Sequence, residues 1–274
     1  MLRSRIILLV ISIVLIAVIF SLPKIVVDNE EDTLDTKTSD IEATSEHMES
    51  SPASEEEVHD NKLSAELAAK AQDLRNKLEG ASTKEKSSIF ADSLAALYSS
   101  VNKLDSAAKY VELSATDKEL IGDAYYEAFT FAVSPEKANS LGEKVRKYYA
   151  EILEEDASRL DLKTKIAMTY VSSENPMSGI MMLREVIEQE PTNEEALFNL
   201  GILSIQSGQY DKAIGRFETL LANHPKNEQA EFYLALSYFN DNRPEDARRL
   251  FQKIKNTSKD EQVLAAVESY LNEL

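Results

Sequence analysis

From Lys62 onward apolar residues recur at three- and four-residue spacing, alanines are frequent, and no run alternates apolar with polar. That pattern predicts helix throughout and essentially no sheet. Two upstream segments break it in opposite ways. Ile6 to Leu22 is apolar except for Ser12 and Ser21, a run of seventeen residues closed by Pro23 and Lys24. As a helix it would be about 25 Å long, at the short end of a bilayer span. Asp28 to Asp60 has Leu34, Ile41, Met48 and Val58 as its only sizeable apolar residues. Such a segment cannot bury enough surface to offset its ordering entropy, so it is expected to be disordered. Three parts follow: an anchor over 1–27, an acidic linker over 28–60, and a helical domain over 61–274.

The helical part repeats. The stretch from Glu194 laid beside that from Glu228 puts Leu200 and Gly201 over Leu234 and Ala235, Ala213 over Ala247, and Phe217 over Phe251, an offset of 34 residues. One further step back, to Leu160, brings Ile166, Ala167 and Tyr170 into the first-helix places, with Gly179 and Leu183 under the alanine and phenylalanine. Pro191-Thr192-Asn193 and Pro225-Lys226-Asn227 close successive units in one register. A unit from Ser88 matches through Leu94, Ala95, Tyr98, Ala107 and Val111. Between it and Leu160 lies an elongated unit of blurred register, with a break at Ser134-Pro135 separating two long helices. Glu261 to Leu274 forms an amphipathic helix without a partner, which suits a terminal cap. Counted from Lys62, about five helical pairs and a terminal helix are expected.

Three of the seven glycines fall at 201, 208 and 215 in this helical text, although glycine inside a helix costs about 0.8–1.0 kcal/mol against alanine. Gly201 sits where paired helices approach most closely. Gly208 follows the first helix, where a left-handed residue is favourable. Gly215 lies within the second helix and neither account reaches it.

These residues resemble the tetratricopeptide repeat, a helix-turn-helix unit with small residues at its eighth and twentieth places, large apolar residues at the eleventh and twenty-fourth, and proline near its end. The resemblance runs from about Ser88 to Asn256. It implies an all-α, right-handed α-solenoid, here behind an N-terminal transmembrane helix and a disordered acidic linker. One departure is Ser204, which stands where Tyr98, Tyr170 and Tyr238 stand in the other units and is expected to leave its helix contact less filled. The whole chain is similar to membrane-anchored bacterial tetratricopeptide proteins, most of which serve as scaffolds or assembly helpers.

Charge and composition then narrow the setting. Residues 28–60 carry thirteen acidic side chains against Lys37, a net of −12 out of the chain's −18, leaving −6 for the rest. With no basic stripe, nucleic acid is not an expected partner. Arg3 and Arg5 precede the apolar run and only Lys24 follows it, so the positive-inside rule leaves the amino terminus cytoplasmic. The helical domain would then lie across the membrane, in a periplasm if the source is bacterial. A cleaved signal peptide is the competing reading, without an A-x-A-like site to support it. There is no cysteine, which rules out a lipidated cysteine after cleavage.

No nucleophile-base pair, metal spacing or phosphate loop is legible, so the reading is not an enzyme, with no cofactor and no metal. His47, His59 and His224 have no ligand spacing. Acid pairs such as Glu194-Glu195 diverge on a helix. What remains is a surface. The resemblance implies that the second, fifth, ninth, twelfth and thirteenth residues of each first helix line a groove. The apolar residues at those places are Met168 and Val171, then Phe198, Ile202 and Ile205, then Phe232, Leu236 and Phe239. Only Asn240 matches the lysine and asparagine chemistry that grips acidic peptide ends. The scaffold places are already filled by Leu200, Leu234 and Tyr238, so the extra rings read as surplus to the helix contacts and as anchors for a partner protein or peptide segment. Two functions are carried forward: a membrane-tethered scaffold or chaperone-like module holding a partner segment in this groove, and a structural envelope protein whose groove makes a homo-oligomer.

Overall fold

The computed structural model describes residues 63–274, and among the described residues it contains twelve helices and no strand. In chain order they are α1 (Ala65–Glu79), α2 (Lys84–Ser100), α3 (Leu104–Ser114), α4 (Lys118–Thr130), α5 (Pro135–Glu155), α6 (Leu160–Val171), α7 (Pro176–Gln189), α8 (Glu194–Gln206), α9 (Tyr210–Asn223), α10 (Glu228–Asn240), α11 (Pro244–Thr257) and α12 (Glu261–Glu273). The candidate anchor at Ile6–Leu22 and the acidic segment 28–60 lie outside the described residues. Among the described residues, no helix is long and apolar enough to cross a membrane.

Each helix packs on its chain neighbours, most closely within α2/α3, α4/α5, α6/α7, α8/α9 and α10/α11. Five pairs therefore stand between a leading helix, α1, and a closing one, α12. First helices of successive pairs also meet, α6 with α8 and α8 with α10, so they share one face of the stack.

Local chemistry sets where each helix begins. The asparagine of each Pro-X-Asn closure caps the next first helix: Asn193 Oδ1 accepts from the Ala196 amide at 3.0 Å, and Asn227 Oδ1 from the Ala230 amide at 2.8 Å. Such a cap contributes about 1 kcal/mol. Pro135, Pro176 and Pro244 open second helices from the first helical position, where a missing N–H leaves nothing unsatisfied. The turn inside a pair is fixed at its fifteenth place, where Asn102, Gly208 and Asn242 have φ of 58°, 73° and 56°. In each case the following amide bonds back to the eleventh-place carbonyl: Lys103 to Tyr98 at 3.0 Å, Gln209 to Ser204 at 2.8 Å, and Arg243 to Tyr238 at 2.9 Å. The left-handed residue lets this capping bond form.

The close approach expected at Gly201 is present. A Cβ there would meet the Phe217 ring at 2.5 Å, so only hydrogen fits beneath that ring. At Gly179, a Cβ would strike the Ala167 carbonyl across the α6/α7 pair. Gly215 faces open space, and nothing in the structure explains it.

The elongated unit acquires a register. A Cβ at Gly122 would collide with the Tyr149 ring, which makes this pair the counterpart of Gly201 and Phe217. The two residues are 27 apart in sequence rather than 16. The extra length falls on the end of α4, the turn and, above all, the start of α5. The predicted break at Ser134-Pro135 is correct, with Ser134 capping α5. The expectation of two long helices is not, because α4 has 13 residues and α5 has 21.

Candidate partner-binding surface

The eleventh place governs how each first helix meets its surroundings, and an arginine attends it in four units. Arg75 donates to the hydroxyl of Tyr98. Arg146 lies 4.7 Å from the Tyr170 ring centre and Arg243 lies 4.4 Å from that of Tyr238. In the unit from Glu194 the tyrosine is replaced by Ser204, and Arg216 enters instead. Its Nη1 donates to Ser204 Oγ and, at 2.8 Å, to the Leu200 carbonyl. The contact expected to be underfilled is filled by a cation, and Ser204 is only 3% exposed. Burial, followed by the charge of Arg184, lowers the pKa of Arg216.

All eight sequence-selected groove residues are half-buried: Met168 and Val171 on α6, Phe198, Ile202 and Ile205 on α8, and Phe232, Leu236 and Phe239 on α10. Because α8 adjoins both α6 and α10, the residues fall on three neighbouring helices, with Asp161 and Glu195 at the second places of α6 and α8. The rings are nevertheless engaged. Phe198 meets Phe217 and Tyr233 edge-on at 5.9 and 5.6 Å between ring centres. Phe232 contacts Phe251 at 6.0 Å and Tyr270 at 6.3 Å, and Phe239 contacts Tyr270 at 5.2 Å. Tyr270 belongs to α12, so the closing helix covers part of the strip. The aromatic residues help to hold the helices while leaving part of their surface open, which differs from the reading of them as surplus. Ile202 and Ile205 also rest on the core of α8 to α12, and Met168 on that of α6 to α8. Val171 packs over Gly179 at the α6/α7 contact, whereas Leu236 is not among the side chains packed against these cores.

The tyrosines of the long unit are a different matter. The hydroxyls of Tyr125 and Tyr148 both donate to the carboxylate of Glu112, the latter at 2.5 Å, and Lys144 Nζ reaches the same carboxylate at 2.8 Å. Burial alone would raise the Glu112 pKa, but these donors hold it down at about 2. Burial and the bond to Glu112 push Tyr148 up to about 12. Nearby, Tyr149 donates to Asp123 at 2.7 Å, and Lys165 Nζ pairs with Asp123 at 2.6 Å. Tyr125, Tyr148 and Tyr149 are buried. They are interior hubs joining α3, α4, α5 and α6, not a recognition surface.

Among the described residues, no group of three or more histidines or carboxylates is arranged to hold a metal ion.

Comparison with known proteins places this geometry. Tetratricopeptide repeat family profiles match residues 204–269 and 182–215. No curated protein sequence matches. Among solved structures, PilW, a widely conserved type IV pilus biogenesis factor, is 10% identical with a TM-score of 0.51, over 75% of this chain and 100% of that one. A tetratricopeptide repeat protein from Parabacteroides merdae is 16% identical with a TM-score of 0.49, over 76% and 79% of the two chains. YrrB, described as a TPR protein with an unusual peptide-binding site, is 18% identical with a TM-score of 0.41, over 73% and 99%. At such identities the likeness to PilW is one of fold. With two profiles on its repeats and Gly201 seated under Phe217 at the repeat's own spacing, the chain carries tetratricopeptide repeats over residues 182–269.

Proposed function

We propose that the chain is a membrane-tethered scaffold that holds a partner protein by laying an apolar segment of it along the strip from Met168 to Phe239. The observation that carries this reading is the strip itself: eight half-buried apolar side chains on three adjoining first helices. A surface of this kind receives amphipathic helices or extended segments through their apolar side chains. The run Ile6–Leu22 supplies the tether, and the acidic residues 28–60 join it to the repeats. The bias of Arg3 and Arg5 puts the scaffold on the far side of the membrane from the amino terminus.

A photocrosslinking residue placed at Leu236 or Val171 in the full chain tests the reading in native membranes. Adducts with another protein are expected from both positions and not from Met181, which is 57% exposed on α7. A Leu236→Arg substitution, at a position outside the packed cores, is expected to abolish the Val171 adduct without altering the thermal melt. Adducts from Met181 alone would overturn the proposal. Adducts at twice the chain mass would replace it with self-association through the same strip.

A further inference from the structure

The two ends of the stack are unlike. At the carboxyl end, the exposed residues of α12 are polar apart from Ala265: Glu261, Gln262, Glu268, Ser269, Asn272 and Glu273. At the amino end, α1 occupies the place of a second helix, because it precedes the first helix α2 and buries Ala71 much as α3, α9 and α11 bury Ala107, Ala213 and Ala247. Every other second helix lies between two first helices, whereas among the described residues α1 has only α2. A groove of about 430 Å³ opens between α1 and α2, floored by Leu67, Leu74 and Leu97 and walled by Ser93, Ala96 and Ser100, with Lys70 at its edge. Small side chains on that wall would let another helix come close. Ile89, on the same helix, is 59% exposed.

The charges of α1 say what that helix is. Glu66, Lys70, Asp73 and Lys77 follow one another at spacings of four, three and four, a stripe along one side of the helix. The order is a charge palindrome centred between Ala71 and Gln72. Turned end over end about that centre, Glu66 falls opposite Lys77 of the other copy and Lys70 opposite Asp73. A two-fold axis brings a patch onto itself in this way and asks for self-complementarity. Like charges meeting across such a contact would be costly, and none do. The chain's own segments outside the described residues fit less well. Residues 28–60 are net −12 without apolar spacing, and Ile6–Leu22 has no charge to meet Lys70 or Asp73.

We propose that the α1/α2 end is a homodimer interface, in which α1 helices from two copies pack antiparallel and each fills the groove of the other to make a four-helix layer. The carboxyl end, closed by α12, takes no part.

The chain has no cysteine, so single cysteines introduced into the full-length protein report contact cleanly. Asp73 is exposed, lies on the charged stripe and is within two residues of the proposed axis. Under mild oxidation Asp73→Cys is expected to give a disulfide-linked species of twice the chain mass, while Ser269→Cys on α12 is expected to give none. Adding Glu66→Lys to Asp73→Cys sets like charges against each other at both ends of the contact and should cut the yield about tenfold. A further Lys77→Glu restores opposite charges across the contact and should restore the yield. Circular dichroism confirms that each variant is helical. No linked dimer from Asp73→Cys, equal yield from Ser269→Cys, or a charge swap that fails to rescue would each overturn the proposal.

Discussion

The α3–α6 region and the α8–α12 region solve the same packing problem with different side chains. Each seats a ring over a glycine, Tyr149 over Gly122 in the first and Phe217 over Gly201 in the second. In the first, buried tyrosines carry hydroxyls that need partners, and Glu112 and Asp123 supply them with Lys144 and Lys165 close by. In the second, Phe198, Phe217, Phe232, Phe239, Phe251, Tyr233 and Tyr270 form a chain of ring contacts that mostly requires none. A polar hub gives directional contacts and answers to pH. A ring ladder answers to volume. Since repeat stacks are stabilised by unit and neighbour terms, the two regions can be broken separately.

The largest effect is expected from volume. Phe217→Ala removes a fully buried ring and should cost about 3–5 kcal/mol, read as a drop in the thermal midpoint with loss of protection in α8 to α11. Next comes Glu112→Ala, which strands two tyrosine hydroxyls and an ammonium. Hydrogen bonds to a charged group are worth about 1.5–3 kcal/mol, and the loss should appear in hydrogen exchange of α3 to α6. An exchange of ring types sharpens the contrast. Phe217→Tyr buries a hydroxyl without a partner and should cost about 1–3 kcal/mol, whereas Tyr149→Phe leaves Asp123 with Lys165 and should cost about 1 kcal/mol. Equal costs in chemical denaturation would erase the distinction drawn between the regions.

Acid gives a smaller and graded effect, with a definite sign. Glu112 titrates near 2 in the fold and near 4.3 when unfolded, so its contribution is complete above the unfolded value and disappears as pH falls toward 2. Asp105, Glu119 and Asp161 in the same region are also held below their ordinary values. Hydrogen exchange at pH 3 against pH 6 should therefore loosen α3 to α6 before α8 to α11. At the alkaline end Tyr148, raised to about 12, contributes fully below about 10 and loses that contribution as pH climbs to 12.

What the chain's text made legible follows the same division. The 34-residue offset, the small residues under rings and the asparagine closures are local and periodic, so Gly201, Gly208 and the start of α10 could be read directly. Asn102 and Asn242 could have been read as well, because both stand at the place of Gly208 and asparagine tolerates the left-handed conformation. The Gly122 and Tyr149 partnership could not, since an insertion spread over two helix ends and a turn leaves no fixed offset to find. The arginines beside Tyr98, Tyr170 and Tyr238 come from different places in their units, reaching the ring along flexible stems that periodicity does not record. The strip from Met168 to Phe239 was legible as apolar, but its partial cover by Tyr270 depends on how α12 docks.

The length of α5 has one more consequence. Its 21 residues against the 14 of α7, α9 and α11 make it about 10 Å longer than its counterparts. A row of identical repeats has no internal address, so a ligand lying along it can slide by one unit and find nearly the same surface. A single unit of different length removes that degeneracy. Positions along this solenoid differ in their distance from α5, and a segment held as proposed would have one register in place of several.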